Sequence, residues 1–159
     1  MQELIGKHIT SVFIGQGESS IKFTSDDISF VFNCDADCCA ETWFSEILNL
    51  DALTNHTVAE VQELDLPHHH DGNGRQEYDS FYGYLLITDA GHCTIVFRCS
   101  SNGYYGGTCS FSVDNGQGIW TDISRLQDWT AYDTTKPVLD SDSKPIPSYY
   151  RHLKCQVLR

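Results

Sequence analysis

Apolar and polar positions alternate through much of the first two thirds of this chain, as they do in strands that bury one face. Ile9, Ser11 and Phe13 are set against Thr10, Val12 and Ile14, followed by Ile21 and Phe23 and then by Ile28, Phe30 and Phe32. Gly15-Gln16-Gly17-Glu18 and Ser25-Asp26-Asp27 have the residues of tight turns, so residues 8–34 read as a three-stranded antiparallel meander. The period then changes. Trp43, Phe44, Ile47, Leu48 and Leu50 recur at helical spacing, with Asp37 placed as an N-cap and Glu41 in the first turn, which predicts one short helix.

The strand pattern occurs twice. Leu4 with Ile9 and Val12 is matched by Leu53 with Val58 and Val61, and Phe23-Thr24 through Cys34 is matched by Ile87-Thr88 through Cys99. The second copy carries a polar, glycine-bearing insertion from Pro67 to Glu77, read as a surface loop. Thr108–Val113 reads as a further strand and Asp114-Asn115-Gly116-Gln117-Gly118 as a turn. Beyond it, Lys136-Pro137 to Pro147 is punctuated by proline and reads as an extended arm, and Arg151, Lys154 and Arg159 form a small basic cluster able to close on the acidic half. The expected fold is α+β and mainly antiparallel: two pseudo-repeated three-stranded meanders around one core, one short helix and a C-terminal extension. The expected organisation is a domain over residues 1–116 and an extension or arm packing on it over 117–159.

Composition narrows the function. At 159 residues and 40% hydrophobic content the chain can close a single core. A formal net charge of −12 argues against a binder of nucleic-acid phosphates or of anionic membranes, both of which need Lys and Arg. The stretch from Glu18 to Asp79 accounts for all of that charge. It is either a solvated acidic face or a surface that imitates phosphates and docks on a basic groove, with Asp26, Asp27, Glu60 and Glu63 as the contacting residues. With no stretch of 18 apolar residues and no leader-like N-terminus, the expected setting is cytoplasmic, and the 7 cysteines are read as thiols.

Candidate chemistry is sparse. Cys34, Cys38, Cys39 and His68-His69-His70 lack the spacing of a zinc site, and no metal or cofactor is expected. No nucleophile elbow, phosphate-binding loop or His-Glu-x-x-His motif occurs, so no catalytic residue is assigned. Asp35, Asp37 and Glu41 leave open a metal-dependent hydrolase. The segment with most to offer a ligand is Asn102-Gly103-Tyr104-Tyr105-Gly106-Gly107, whose glycines and asparagine present backbone N–H groups while its tyrosines present stacking faces. If the two meanders correspond, this segment meets Cys38, Cys39, Glu41 and Trp43 in one pocket.

At Asp37-Cys38-Cys39-Ala40-Glu41-Thr42-Trp43-Phe44 and at Ser100-Ser101-Asn102-Gly103-Tyr104-Tyr105-Gly106-Gly107 the chain resembles a family of small uncharacterised phage and bacterial proteins of the domain-of-unknown-function kind. The resemblance runs from Leu4 to Gly107. It departs at Asn55 where glycine is expected, at Ala40 and Thr42 where serines are expected, and at Cys99 where asparagine is usual. It implies a phage-linked setting and no established activity. The leading expectation is therefore a non-enzymatic protein that antagonises a host defence protein by binding its basic surface. The alternatives are a small-ligand binder that sequesters a nucleotide-derived signal, and the hydrolase.

Overall fold

The computed structural model describes residues 1–26, 28–66 and 78–131. Among them run strands β1 (His8–Gly15), β2 (Ser20–Ser25), β3 (Ser29–Ala36), β4 (Glu41–Leu48), β5 (His56–Thr57), β6 (Glu60–Asp65), β7 (Tyr78–Thr88), β8 (Gly91–Ser101), β9 (Gly107–Val113), β10 (Trp120–Asp122) and β11 (Asp128–Thr130). They form two antiparallel sheets. The first has the order β10-β1-β2-β3-β9 with β5 also on β1, and the second has the order β11-β4-β8-β7-β6.

One core lies between the sheets. Ile9, Val12, Ile21, Phe23 and Phe32 from the first meet Phe44, Ile47, Leu86, Ile95 and Phe97 from the second, all nearly or fully buried. Each such side chain contributes about 1.5–3 kcal/mol by leaving water. Edge-on rings fix the fit, with Phe23 and Phe32 centred 5.8 Å apart and Phe44 and Phe97 6.2 Å apart.

The expected helix is absent: residues 41–48 are β4, between β11 and β8 in the second sheet. The cause of the helix-like spacing is a bulge. Phe44 lies opposite Phe97 and Ile47 opposite Ile95, yet the register shifts between Phe44 and Glu46. That extra residue brings two apolar side chains spaced by three onto the same face of a strand, which a regular strand forbids. The outer face of this sheet is partly covered too: Leu48 packs in a smaller apolar cluster with Leu64, Leu66, Phe81 and Val96, and Trp43 lies under Arg98. The helical content of the described residues is two three-residue 3-10 turns, Gln2–Leu4 and Leu50–Ala52, so the α of the expected α+β fold is not found.

β1-β2-β3 and β6-β7-β8 are each a three-stranded antiparallel meander, and the strand that follows each one crosses to the other sheet. β4 leaves β3 to pair with β8, and β9 leaves β8 to pair with β3. β10 and β11 then add a short edge strand to each sheet, on β1 and β4. The insertion from Pro67 to Glu77, the proline-punctuated arm and the basic cluster Arg151, Lys154 and Arg159 lie outside the described residues.

Candidate functional site

The two crossovers meet at one end of the molecule. Ala36 pairs with Gly107 at the start of β9, while Glu41 pairs with Ser100 at the end of β8. The β3–β4 turn with Cys38 and Cys39 therefore stands beside the 102–106 loop, and the exposed Glu41 joins them. In that turn Ala40 N–H donates to the Asp37 carbonyl at 3.3 Å and Cys39 takes a positive φ of 68°. Thr42 Oγ1 donates to the Cys34 carbonyl at 3.0 Å and holds the outgoing strand.

The 102–106 loop satisfies much of its own polarity. Ser101 Oγ accepts from Gly103 N–H at 3.0 Å and donates to the Tyr105 carbonyl at 3.1 Å, while Asn102 Oδ1 accepts from Tyr104 N–H at 3.1 Å. Gly103 (φ 86°) passes over the Tyr78 ring in a conformation that disfavours other residues. Tyr104 is 85% exposed and stands edge-on to the half-buried Tyr105, 5.4 Å between ring centres. Gly107 is where the sheets close on each other: a Cβ there would lie 3.0 Å from Cys99 Cβ and 3.0 Å from Thr42 Cγ2. Its N–H donates at 3.1 Å to Tyr82 Oη, whose ring stacks on Phe97 at 4.8 Å.

Trp43 takes no part in that loop cluster. It is 1% exposed on the outer face of the second sheet, opposite Arg98 in β8. The Arg98 guanidinium lies 5.6 Å from the Trp43 ring centre and 4.9 Å from that of Phe81, and it ion-pairs with Asp79, itself 1% exposed. Glu46 shares this face. Burial pushes its carboxyl up to about 7, against the opposing pull of Arg98. Asp79 Oδ1, Arg98 Nε and Glu46 Oε2 have no hydrogen-bond partner among the described residues. Sequence reasoning placed Trp43 and Arg98 near the ligand loop and did not bring them together with Asp79 and Glu46, although an arginine between Phe97 and Cys99 at the end of an apolar run was a visible signal.

The acidic candidates are divided. Asp26 lies exposed in the β2–β3 turn and Glu60 and Glu63 lie exposed on β6, in the other sheet; Asp27 is outside the described residues. Asp35 Oδ2 accepts from Ser110 Oγ at 3.2 Å. Among the described residues no three His, Cys, Asp or Glu side chains stand together as metal ligands, and no helix is long and apolar enough to cross a membrane. Cys34 is buried and desolvation pushes its thiol up to about 12, while burial also raises Cys93 and Cys99. These are thiols of the core.

A groove of about 250 Å³ runs between the open edges of the two sheets, lined by Glu63, Tyr82, Tyr84, Phe97, Thr108 and Cys109 among others. A second recess of about 340 Å³ lies against Trp120 and Gly15. The first falls below, and the second at the low end of, the roughly 300–1,000 Å³ usual for ligand pockets.

Residues 2–111 match the family described as "Domain of unknown function (DUF7448)". The chain belongs to that family. The DUF7448 match ends inside β9, so β10 and β11 lie beyond it. The uncharacterized protein L278 of Acanthamoeba polyphaga mimivirus is 31% identical to this chain over 107 residues, which is 62% of this chain and 82% of the viral protein. No solved structure matches. Asn55, where the resemblance led us to expect glycine, has a φ of 65°, a conformation that glycine adopts freely and asparagine tolerates better than most residues.

Proposed function

We propose that this protein is a non-enzymatic binding module that docks on a protein partner with a basic surface. The observation that carries this reading is β6, which is at the edge of its sheet among the described residues and on which Glu60, Glu63 and Asp65 are all exposed. Two of the described cations are engaged inside the molecule: Lys22 is 3.2 Å from Asp114 and Arg98 is paired with Asp79. The outward field is therefore set by carboxylates, which steer and orient a cationic partner. In a viral setting, for which the mimivirus relative speaks, the partner is a host defence protein in the cytoplasm and binding antagonises it. The two meanders are read as a duplicated unit that exchanged its fourth strands.

The test is capture of partners from host extract by the wild-type protein and by a charge-reversed variant, Asp26→Lys with Glu60→Lys and Glu63→Lys, at low and high salt. The same partner should be lost in the variant and weakened by salt. Equal capture by both proteins would overturn the electrostatic reading.

A second reading is supported by the meeting of the two crossovers: a small ligand, such as a nucleotide-derived signal, stacks on Tyr104 and Tyr105 beside Cys38 and Cys39. Native mass spectrometry of the untagged protein tests it. A stoichiometric extra mass lost in Tyr104→Ala supports the ligand, and a clean apo mass returns the choice to the protein partner.

A further inference from the structure

Edge strands expose unpaired N–H and C=O groups, and proteins blunt them with charges, proline, bulges or brevity. The described edges of this molecule differ sharply in that respect. β10 and β11 have three residues each and carry Asp122 and Asp128, and β6 carries Glu60, Glu63 and Asp65. β9, Gly-Thr-Cys-Ser-Phe-Ser-Val, has seven residues, no charge, no proline and an unbroken register with β3.

Its free side can be identified residue by residue. Cys34 N–H bonds backwards to the Ser19 carbonyl, so Cys34 turns its main-chain groups away from β9, and Cys109 opposite it turns its own outward. Alternation gives the same orientation to Gly107, Phe111 and Val113. Gly107 N–H has already found Tyr82 Oη on that side. The N–H groups of Cys109, Phe111 and Val113 have no acceptor among the described residues. Phe111 and Val113, 40% and 63% exposed, lie beside Phe30 and add an apolar flank. Across the groove from Thr108 and Cys109 stands Glu63.

We propose that β9 is a strand-addition site: an extended, lysine- or arginine-bearing segment of a protein partner pairs with its free edge and directs a cationic side chain to Glu63. The cationic character of the partner rests on the function proposed above, whereas the pairing rests on β9 alone. A second copy of this chain is the less favoured occupant, because two molecules of net charge −12 repel.

The probe is a capped peptide Lys-Val-Lys-Val-Lys-Val-Lys, with Thr-Val-Thr-Val-Thr-Val-Thr as its neutral counterpart, titrated into isotope-labelled full-length protein. The largest amide shifts, and the strongest slowing of hydrogen exchange, should fall on Cys109, Phe111 and Val113. Phe111→Pro removes an outward donor and leaves the bonds of Ser110 and Ser112 to β3 in place, so it should weaken binding by about tenfold or more. If that variant does not fold, Phe111→Lys blocks the edge instead. Glu63→Lys should weaken the cationic peptide selectively.

Loss of binding in Glu63→Lys with none in the Phe111 variants overturns strand addition and leaves the acidic docking surface standing. Loss in the Phe111 variants with equal binding of both peptides supports the pairing and overturns the cationic partner. Absence of binding by either peptide, or a dimer in sedimentation that Phe111→Pro dissolves, overturns the proposal outright.

Discussion

Replacing Asp79 by alanine tests whether the ion pair on the outer face of the second sheet is structural. Asp79 is 1% exposed and is the carboxylate bonded to Arg98, whose side chain is 16% exposed and lies between Trp43 and Phe81. Removing the anion leaves a guanidinium shielded from water with no compensating charge at that position, a change that costs about 3–5 kcal/mol. Total stability for a domain of this size is about 5–15 kcal/mol, so the loss is large. At roughly 2–4 °C per kcal/mol it lowers Tm by roughly 6–20 °C. Removing both charges, Asp79→Leu with Arg98→Met, should instead leave stability within about 1 kcal/mol of wild type, because no charge remains to desolvate. The cycle is measured by urea unfolding followed by tryptophan fluorescence. Mildly acidic pH keeps a proton on Glu46, so that loss of Arg98 does not create a second uncompensated charge. A cost below about 1 kcal/mol for Asp79→Ala, or a double variant as unstable as the sum of the singles, would refute the reasoning.

Glu46 predicts a pH dependence of its own. Its folded-state pKa of about 7 lies above the ordinary 4.5, so between those values the folded chain holds a proton that the unfolded chain has lost. Its contribution to stability is therefore unfavourable and grows as pH rises through that window, and Glu46→Gln should remove a decline on the order of 2–3 kcal/mol, seen in urea titrations across the range. Gly107→Ala should cost about 1–3 kcal/mol in a thermal melt, because its Cβ would press on Cys99 and Thr42 of the facing second sheet. Alkylation of the native protein followed by peptide mass spectrometry should modify Cys38 and Cys39 first and leave Cys93 and Cys34 until unfolding; early modification of Cys93 would contradict the core described above.

The strands of both meanders were legible because each buries one face against a single core, and a period of two survives in the sequence wherever that holds. β4 misled because it breaks both conditions: its bulge shifts the phase after Phe44, and its outer face carries Trp43 under Arg98. Of the candidate site, the nearness of the Cys38–Cys39 turn to the 102–106 loop followed from reading the two meanders as equivalents. The position of Trp43 did not follow, because one residue of register decides which side of a strand a ring occupies. Nor did the pairing of Asp79 with Arg98, in which residues 19 apart in sequence come together on neighbouring strands.

Local pattern and composition by themselves determined that this chain builds antiparallel strands, that it carries a strong negative charge and that its chemistry-bearing motifs follow strand ends. These are properties of short segments, and short segments carry them wherever they fold. Only the tertiary structure decided that each meander sends its next strand to the opposite sheet, that a buried ion pair backs the second sheet, and that β9 is, among the described residues, an uncharged edge beside a carboxylate-bearing groove. The physical reason is that strands are joined by main-chain hydrogen bonds, which nearly every residue offers alike and which therefore do not choose a partner. Which strands meet is settled by the packing of the whole core.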